Sequence, residues 1–595
     1  MIFTSAIALA SAPVPVDYYL SFENAAHREA SITATFAGLG DEPLVVRMAR
    51  SSPGRYALHE FAKNVDDVSA TDSQGRALTV RRDDPYRWIV EGHDGVVKFH
   101  YTLYADRADG TYSQVDTSHA HLNMPATLVW SEALVDRPVT VRMTPYSADW
   151  KVATQLQPTE HPYVYKAPDH AYLMDSPIEL SDFDLREWQV SHKGETATIR
   201  LAVHHEGSVE AVDTFEKRTR AIVDAHIAMW DDIPDYDFGT YTFIADYLPW
   251  ASGDGMEHRN STILSSSRGL EEAKFSQLGT VSHEFFHGWN VERLRPADLE
   301  PFDFTKADVS QHLWFAEGFT SYYDELLRLR GGDIDRDAFL DGLSFTVSAT
   351  LSSPARPGSS PSEMSRNAPY MDAATSVDPD NFANSKLSYY TYGAAVGFGL
   401  DLELRKRGSS LDDYMRLLWK RFGKTGIPYR DEDLLTSLAE VSGDAEFAKT
   451  FFASVVHGDD LPAYGTLLAD YCYTLAPASP GAGTLGWFRL AYGESGASIL
   501  ANTLRGDPIY AAGLDRGDTI LAVDGRPIRS AKDWKAATEG LASGQEVVID
   551  WRRRDGTKGR SRVEAQIGRM MGIKPSCEPD AAQKARLDDW LGGGE

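Results

Sequence analysis

The hydrophobic period of this chain changes near residue 208, and that change limits what the chain can fold into. Up to about residue 205 the apolar residues fall in short alternating or β-branched runs: "ASITATFAG", "PLVVRMAR", "RWIVEG", "VVKFHYTLYA" and "ATIRLAVHH", cut by Gly, Asp and Pro. Alternation places every second side chain on one face of a strand, so this part reads as β structure. "SVEAVDTFEKRTRAIVDAHIAMW" then spaces its apolar residues by three and four, the signature of a helix with one buried face. "YTFIADYLPW" returns to strand, "GDGMEHRNSTILSSS" reads as a turn and an edge strand, and helices dominate from 275 to about 470. Within them, 352–386 is rich in Pro, Ser and Asn and reads as a long loop of the kind that is functional or disordered. "LAPASPGAGT" (475–484) reads as a linker to a last domain.

A chain of 595 residues exceeds one hydrophobic core and implies three or four domains. Its charge narrows the partners. With 59 Lys and Arg against 87 Asp and Glu the net charge is −28, a field that repels a phosphate backbone, so nucleic acid is not an expected ligand. The basic stretch "WRRRDGTKGRSR" (551–562) reads as a solvated hairpin. Cys472 and Cys577 are too few for a cysteine-built metal site and are expected to be free or incidentally paired thiols. No apolar run reaches the roughly 18 residues that span a bilayer. "MIFTSAIALASAP" resembles the apolar core and cleavage site of a secretory signal without its basic start, which suggests a periplasmic or secreted protein, with the cytoplasm as the other option.

The chemistry concentrates in "TVSHEFFHGWN" (280–290). Ser276 is the expected helix cap, with Leu278, Val281, Phe285 and Phe286 as its apolar positions. At 3.6 residues per turn His283 and His287 stack on one face and can reach one ion. Glu284, displaced around the helix, stands where a general base must stand to take a proton from water beside the metal. Asn290 and Arg293 occupy the positions that an HExxHxxGxxH site fills with Gly and His, so the third ligand lies elsewhere. The downstream acids are Glu292, Asp298, Glu300, Asp303, Asp308 and Glu317. Glu317, in "SQHLWFAEGFTSYYDELL" with Ser310 as the expected cap, is flanked by aromatics, and a buried carboxylate there needs a partner. The spacing also allows it to join a polar stripe with Ser321 and Asp324.

"HEFFHGWN" followed by "LWFAEGFTSYY" resembles the gluzincin zinc peptidases, and "GMEH" (255–258) resembles the exopeptidase motif of zinc aminopeptidases. "GDPIYAAGLDRGDTILAVDGRPI" (506–528) resembles a bacterial PDZ core with Gly513, Gly517 and Gly525 at its turns, and "TLGWF" (484–488) its carboxylate-binding loop. The order of these parts is most similar to the glycyl aminopeptidase family of PDZ-containing gluzincins. That resemblance implies a multidomain α+β protein: 1–14 a signal remnant or flexible end, 15–206 a β-sandwich-like domain, 207–474 a thermolysin-like core with helical subdomain, 475–484 a linker, 485–570 a PDZ domain and 571–595 a tail. It implies one Zn2+ per chain on His283, His287 and Glu317, with Glu284 as base. Tyr390, in the Tyr-x-x-Gly of "YYTYGAAVGF", would stabilise the oxyanion, and Gly255, Met256, Glu257 and His258 would bind substrate, Glu257 taking its α-ammonium group. His258 stands where alanyl-type relatives have Asn, and Tyr392 where they have Lys. The expected substrates are peptides with a free N-terminus, beginning with Gly or Ala. The PDZ domain would take a C-terminal peptide or be docked without one. Two other functions fit the same residues: a zinc endopeptidase using its PDZ domain for substrate, and a PDZ-based binding protein with an inactive peptidase core.

Overall fold

The computed structural model describes residues 13–371 and 378–592, so the signal-like start and part of the 352–386 loop lie outside the described residues. The chain forms two units, Met1–Arg293 with Leu299–Asp308, and Leu294–Asp298 with Val309–Glu595.

The first unit opens with a seven-stranded sheet in which Val16–Ser21 pairs antiparallel with Glu29–Ala37 and parallel with Val139–Thr144. Glu29–Ala37 illustrates why alternation succeeds here: Ala30, Ile32, Ala34 and Phe36 are all buried, and the residues between them are not. A three-stranded and a four-stranded sheet complete this β-rich part, around a core that includes Trp88, Phe99, Tyr101 and Trp130.

The boundary expected at 206 falls too late. Asp184–His192 and Glu195–His205 do not join the N-terminal sheets; they form one side of a separate five-stranded sheet with Thr240–Tyr247, Ser261–Ser266 and, at the edge, Asp254–His258. Their alternating pattern is the same in either sheet, so period alone could not assign them. The helix Val209–Trp230 is the crossover between the parallel strands Glu195–His205 and Thr240–Tyr247, and Ser208 caps it by accepting a hydrogen bond from the Ala211 amide (3.1 Å).

In the second unit, "LWFAEGFTSYYDELL" forms Leu313–Ala316 and Gly318–Arg330, with Glu317 at the joint. Ser310 does not cap a helix: its hydroxyl accepts from the His312 amide two residues on (3.0 Å), and His312 holds the cap position. The helix Tyr389–Lys406 crosses Gly318–Arg330 so closely that a Cβ on Gly393 would lie 2.0 Å from the Trp314 carbonyl oxygen, and one on Gly318 2.3 Å from the Gly393 Cα. Both glycines exist for that approach.

Residues 485–570 contain a sheet ordered Leu490–Gly493, Gly496–Ile499, Thr519–Val523, Glu546–Arg552 and Lys558–Glu564, with its own core of Leu485, Ile499, Ile509, Ile520 and Ile549 among others. The basic stretch is the hairpin connecting the last two of these strands.

Two expectations fail in this unit, and one alternative left open for the cysteines is decided. The linker is not free chain: Tyr473–Pro477 pairs with Met571–Pro575, and Gly483–Thr484 with Gln566–Ile567. The tail is part of the core, for the helix Ala581–Leu591 buries Trp590, whose indole donates to the Tyr322 hydroxyl (2.9 Å). Cys472 and Cys577 form a disulfide with Cα atoms 5.1 Å apart. In each case the partner lies more than eighty residues away, beyond any local pattern. Among the described residues no helix is long and apolar enough to cross a membrane.

Candidate active site

The histidine pair lies on the helix Leu278–Phe286, with His287 closing its last turn. Ser276 is outside the helix and Gln277 takes the cap position without a side-chain bond. Packing fixes the helix instead. Phe285 sits edge-on to Tyr241 and against Phe243 of the central strand, at ring separations of 5.0 and 5.5 Å. Trp289 stacks on Trp230 of the crossover helix (5.7 Å). Each buried aromatic of this kind contributes on the order of 2–3 kcal/mol.

His283 and His287 face each other with ring centres 4.9 Å apart, His283 partly exposed and His287 buried. Nδ1 of His287 donates to the Asn290 carbonyl (2.7 Å), which fixes the tautomer and makes Nε2 the atom that could hold a metal. The chain turns out of the helix through Val291 at φ 99°, a conformation that β-branched residues rarely adopt, and this turn aims the Asn290 carbonyl back at the ring. Asn290 therefore serves through its backbone.

The edge strand Asp254–His258 runs beside this helix. Single ligand atoms of Glu257, Glu284 and His287, all buried, lie within 4.8 Å of one another. A Cβ on Gly255 would meet Glu284 Oε1 at 2.2 Å, so Gly255 admits the Glu284 carboxylate against the strand. Met256 and His258 point the other way, as strand alternation requires. Met256 meets loops of the β-rich part, where a Cβ on Gly54 would lie 2.2 Å from its sulfur and 2.8 Å from Glu257 Oε2, so the tip of Glu257 borders that loop as well. His258 bonds through Nδ1 to Asp175 (2.9 Å). The structure thus brings Gly255 and Glu257 to the helix and turns Met256 and His258 toward the β-rich loops.

Two arginines that the sequence did not single out hold this arrangement. Arg55 pairs with Asp254 and donates to the Gly255 carbonyl (3.1 Å), clamping the strand from the β-rich part. Arg293 is buried and donates to the carbonyls of Gly288 (2.9 Å) and Arg259 (2.7 Å) and to the Asn260 side chain (2.8 Å), tying the end of the metal helix to the turn after "GMEH". Burial pulls its guanidinium below the usual arginine range, yet four acceptors keep it in place. Its signal was present, since Arg293 stands where a third histidine was sought, but nothing local distinguishes a buried arginine from a solvated one.

In the second unit Glu317 is 2% exposed. Tyr390 is partly exposed at the start of its helix and stacks on the buried Tyr389 (4.8 Å), whereas the Tyr392 hydroxyl donates to the Ser359 carbonyl (3.2 Å). The Gly318–Gly393 contact sets the helix of Tyr390 against the joint that carries Glu317. The expected carboxylate loop is already engaged internally: the Gly486 amide donates to Thr484 Oγ1 (3.2 Å) and the Trp487 amide to Asp507 (2.9 Å). Trp487 packs edge-on against Phe345 of the helix Arg336–Ser352 (5.8 Å).

The model for the peptidase M61 N-terminal domain matches residues 17–182, and that for M61 glycyl aminopeptidase matches residues 276–396. The chain thus carries an M61 N-terminal domain and an M61 glycyl aminopeptidase domain. It is accordingly a metallopeptidase of aminopeptidase type. No curated protein matches it by sequence. A solved aminopeptidase N family protein from Idiomarina loihiensis is similar over 97% of this chain and 100% of that one, with 24% identity and a TM-score of 0.84. An M1 zinc metallopeptidase variant from Deinococcus radiodurans, solved with a Tyr-Ser-Ala substrate, covers 75% of this chain and 94% of its own at 17% identity and a TM-score of 0.43. The M61 N-terminal match ends at 182, beside the point where strands pass to the five-stranded sheet.

Proposed function

We propose that this M61 peptidase is a zinc exopeptidase that removes one N-terminal residue, Gly or Ala, from peptides. The observation that carries the exopeptidase reading is Glu257, a buried carboxylate beside Glu284 and His287. His283 and His287 would hold the zinc with Glu317, whose burial among apolar neighbours supports a cationic partner. His287, with Nδ1 occupied, fits that role by its donor chemistry. Zinc bound there would polarise the scissile carbonyl and make water nucleophilic near neutral pH.

The chain's own residues supply the rest. Glu284 takes a proton as the water oxygen bonds to the carbonyl carbon, and returns it to the amide nitrogen as the C–N bond breaks. Tyr390 donates to the oxygen on which charge develops, an interaction worth about 3–4 kcal/mol in comparable sites. Glu257 accepts from the substrate's α-ammonium group and fixes cleavage after the first residue, a charge-assisted bond of roughly 1.5–3 kcal/mol. The family description supports glycine as the first residue. The disulfide supports an oxidising compartment, hence the periplasm or the exterior. For residues 485–570 we favour a docked PDZ-like domain without a peptide ligand, supported by the occupied amides of Gly486 and Trp487.

The test compares Gly- and Ala-initiated peptides with their acetylated forms. Free peptides should be cleaved at least about a hundredfold faster, because acetylation removes the charge that Glu257 would meet. Glu257→Ala should lower kcat/KM for free peptides and change blocked ones much less. Rapid internal cleavage of acetylated peptides would overturn this reading in favour of an endopeptidase.

A further inference from the structure

Away from the active site, two sheets of the first unit bury a cluster of histidines and carboxylates against each other. The four-stranded sheet presents His119 and His121 on one strand, with Glu179 directly across from His121. The five-stranded sheet presents His204 and Asp246, also paired across neighbouring strands. His119, Glu179 and Asp246 are at most 1% exposed and His204 7%. Folding two carboxylates into such a place without a counter-charge costs several kcal/mol each.

The separations define what the counter-charge is. His119 Nδ1 lies 3.4 Å from Glu179 Oε1 and 3.6 Å from Asp246 Oδ1. His204 Nδ1 lies 3.7 and 3.3 Å from the same two oxygens. One ligand atom from each of the four residues lies within 4.8 Å of every other. A charge-assisted N–H to carboxylate bond would draw the atoms to about 2.7–2.9 Å. The neighbouring His121 does so, with Nδ1 2.7 Å from Asp246 Oδ2 while Nε2 donates to the Asp109 carbonyl (2.8 Å). His119 instead stands off, nearly equidistant from two oxygens, and His204 makes only a long hydrogen bond to Asp246 Oδ1 (3.3 Å). Tetrahedral ligands on bonds of about 2.0–2.2 Å are separated by about 3.3–3.6 Å. Among the described residues, Nδ1 of His119 and both oxygens of Glu179 are buried without a hydrogen-bond partner. Nε2 of His119 donates to Gln114 (3.1 Å), which leaves the Nδ1 lone pair directed into the cluster.

We propose that His119, Glu179, His204 and Asp246 form a second metal site, closed and structural, for a divalent cation of the zinc class. Two imidazoles and two carboxylates in four-coordinate spacing suit zinc and not calcium or magnesium, which take six or more oxygens. The dication, with the His121 imidazolium that donates from both ring nitrogens, offsets the two carboxylates, and His121 orients Asp246 from outside. Each of the two sheets contributes two ligands, so the ion staples the β-rich part to the strand that leads to Glu257.

The experiment uses the full chain purified and equilibrated with zinc, and counts the metal. The unmodified protein should carry about two zinc ions, His283→Ala/His287→Ala about one, and His119→Gln/His204→Gln about one. Cobalt(II) in His283→Ala/His287→Ala should give the strong visible absorption of a four-coordinate ion, and a zinc-edge anomalous map of the unmodified protein should peak between the four ligand atoms. The map needs no variant and so decides the matter if a substituted chain fails to fold. A map without that peak, or zinc wholly lost from His283→Ala/His287→Ala, would overturn the proposal and leave a proton-filled ion network. Neither result depends on the exopeptidase reading, which rests on cleavage products.

Discussion

Gly255→Ala tests whether the edge strand and the metal helix act as one device. The added Cβ would stand 2.2 Å from Glu284 Oε1 and 2.5 Å from Thr280 Cγ2. A carbon–oxygen contact relaxes to about 3.3 Å, so the carboxylate must retreat by about 1 Å. The colliding atoms are side-chain ends, and Glu284 can turn away with little strain on the fold. The proposed role of Glu284 as base would not survive the same movement. Misplacement of about 1 Å costs on the order of a hundredfold, about 2.7 kcal/mol in the barrier. The expected outcome is kcat for a Gly-initiated peptide down by about two decades, with zinc content unchanged and the melting temperature within about 2 °C of the parent. Gly393→Ala is the contrasting control, because its Cβ would meet the Trp314 backbone oxygen at 2.0 Å and destabilise the second unit itself. Metal analysis, steady-state kinetics and calorimetry on the three proteins suffice. Near-normal kcat in a well-folded Gly255→Ala would refute the reasoning, since Glu284 would then not need the place that Gly255 leaves open.

Glu317→Ala should lose most catalytic zinc and all activity, whereas Glu284→Gln should keep the zinc and lose turnover; a fully loaded Glu317→Ala would direct attention to Asp303 and Asp308. Tyr390→Phe should reduce kcat strongly with little change in KM, because the phenol acts once charge develops, and an equal loss in Tyr392→Phe alone would reassign the role. His170 should make the N-terminal part acid-sensitive. Burial beside Trp130 and Phe304 lowers its pKa to about 3, against about 6.5 in the unfolded chain. Between those values the unfolded state binds the extra proton, so stability falls as pH falls, by about 2 kcal/mol from this residue between pH 6.5 and 5. Melting curves of His170→Phe over that window should be flatter than those of the parent; parallel curves would show that the ring is not held neutral.

The readings that held from sequence were those carried by a local period. His283 and His287 share a face because they are four apart on a helix, and Glu29–Ala37 buries every second residue because it is a strand against a core. The same logic found the helix Val209–Trp230 and the basic hairpin, but not the residues that cap helices. It misplaced the strands after residue 183, the linker and the tail, since a strand's pattern states that one face is covered but not by what. Only the tertiary structure decided that Gly255 makes room for Glu284, that Arg55 and Arg293 clamp the "GMEH" strand, and that Cys472 meets Cys577. The cluster of His119, Glu179, His204 and Asp246 was invisible for the same reason. Its members lie on four strands of two sheets, with spacings that follow from pairing and packing. Helix and strand geometry is fixed by bonds between near neighbours and leaves its period in the sequence. Contacts across a hundred residues are chosen by the energy of the whole core, which no short stretch contains.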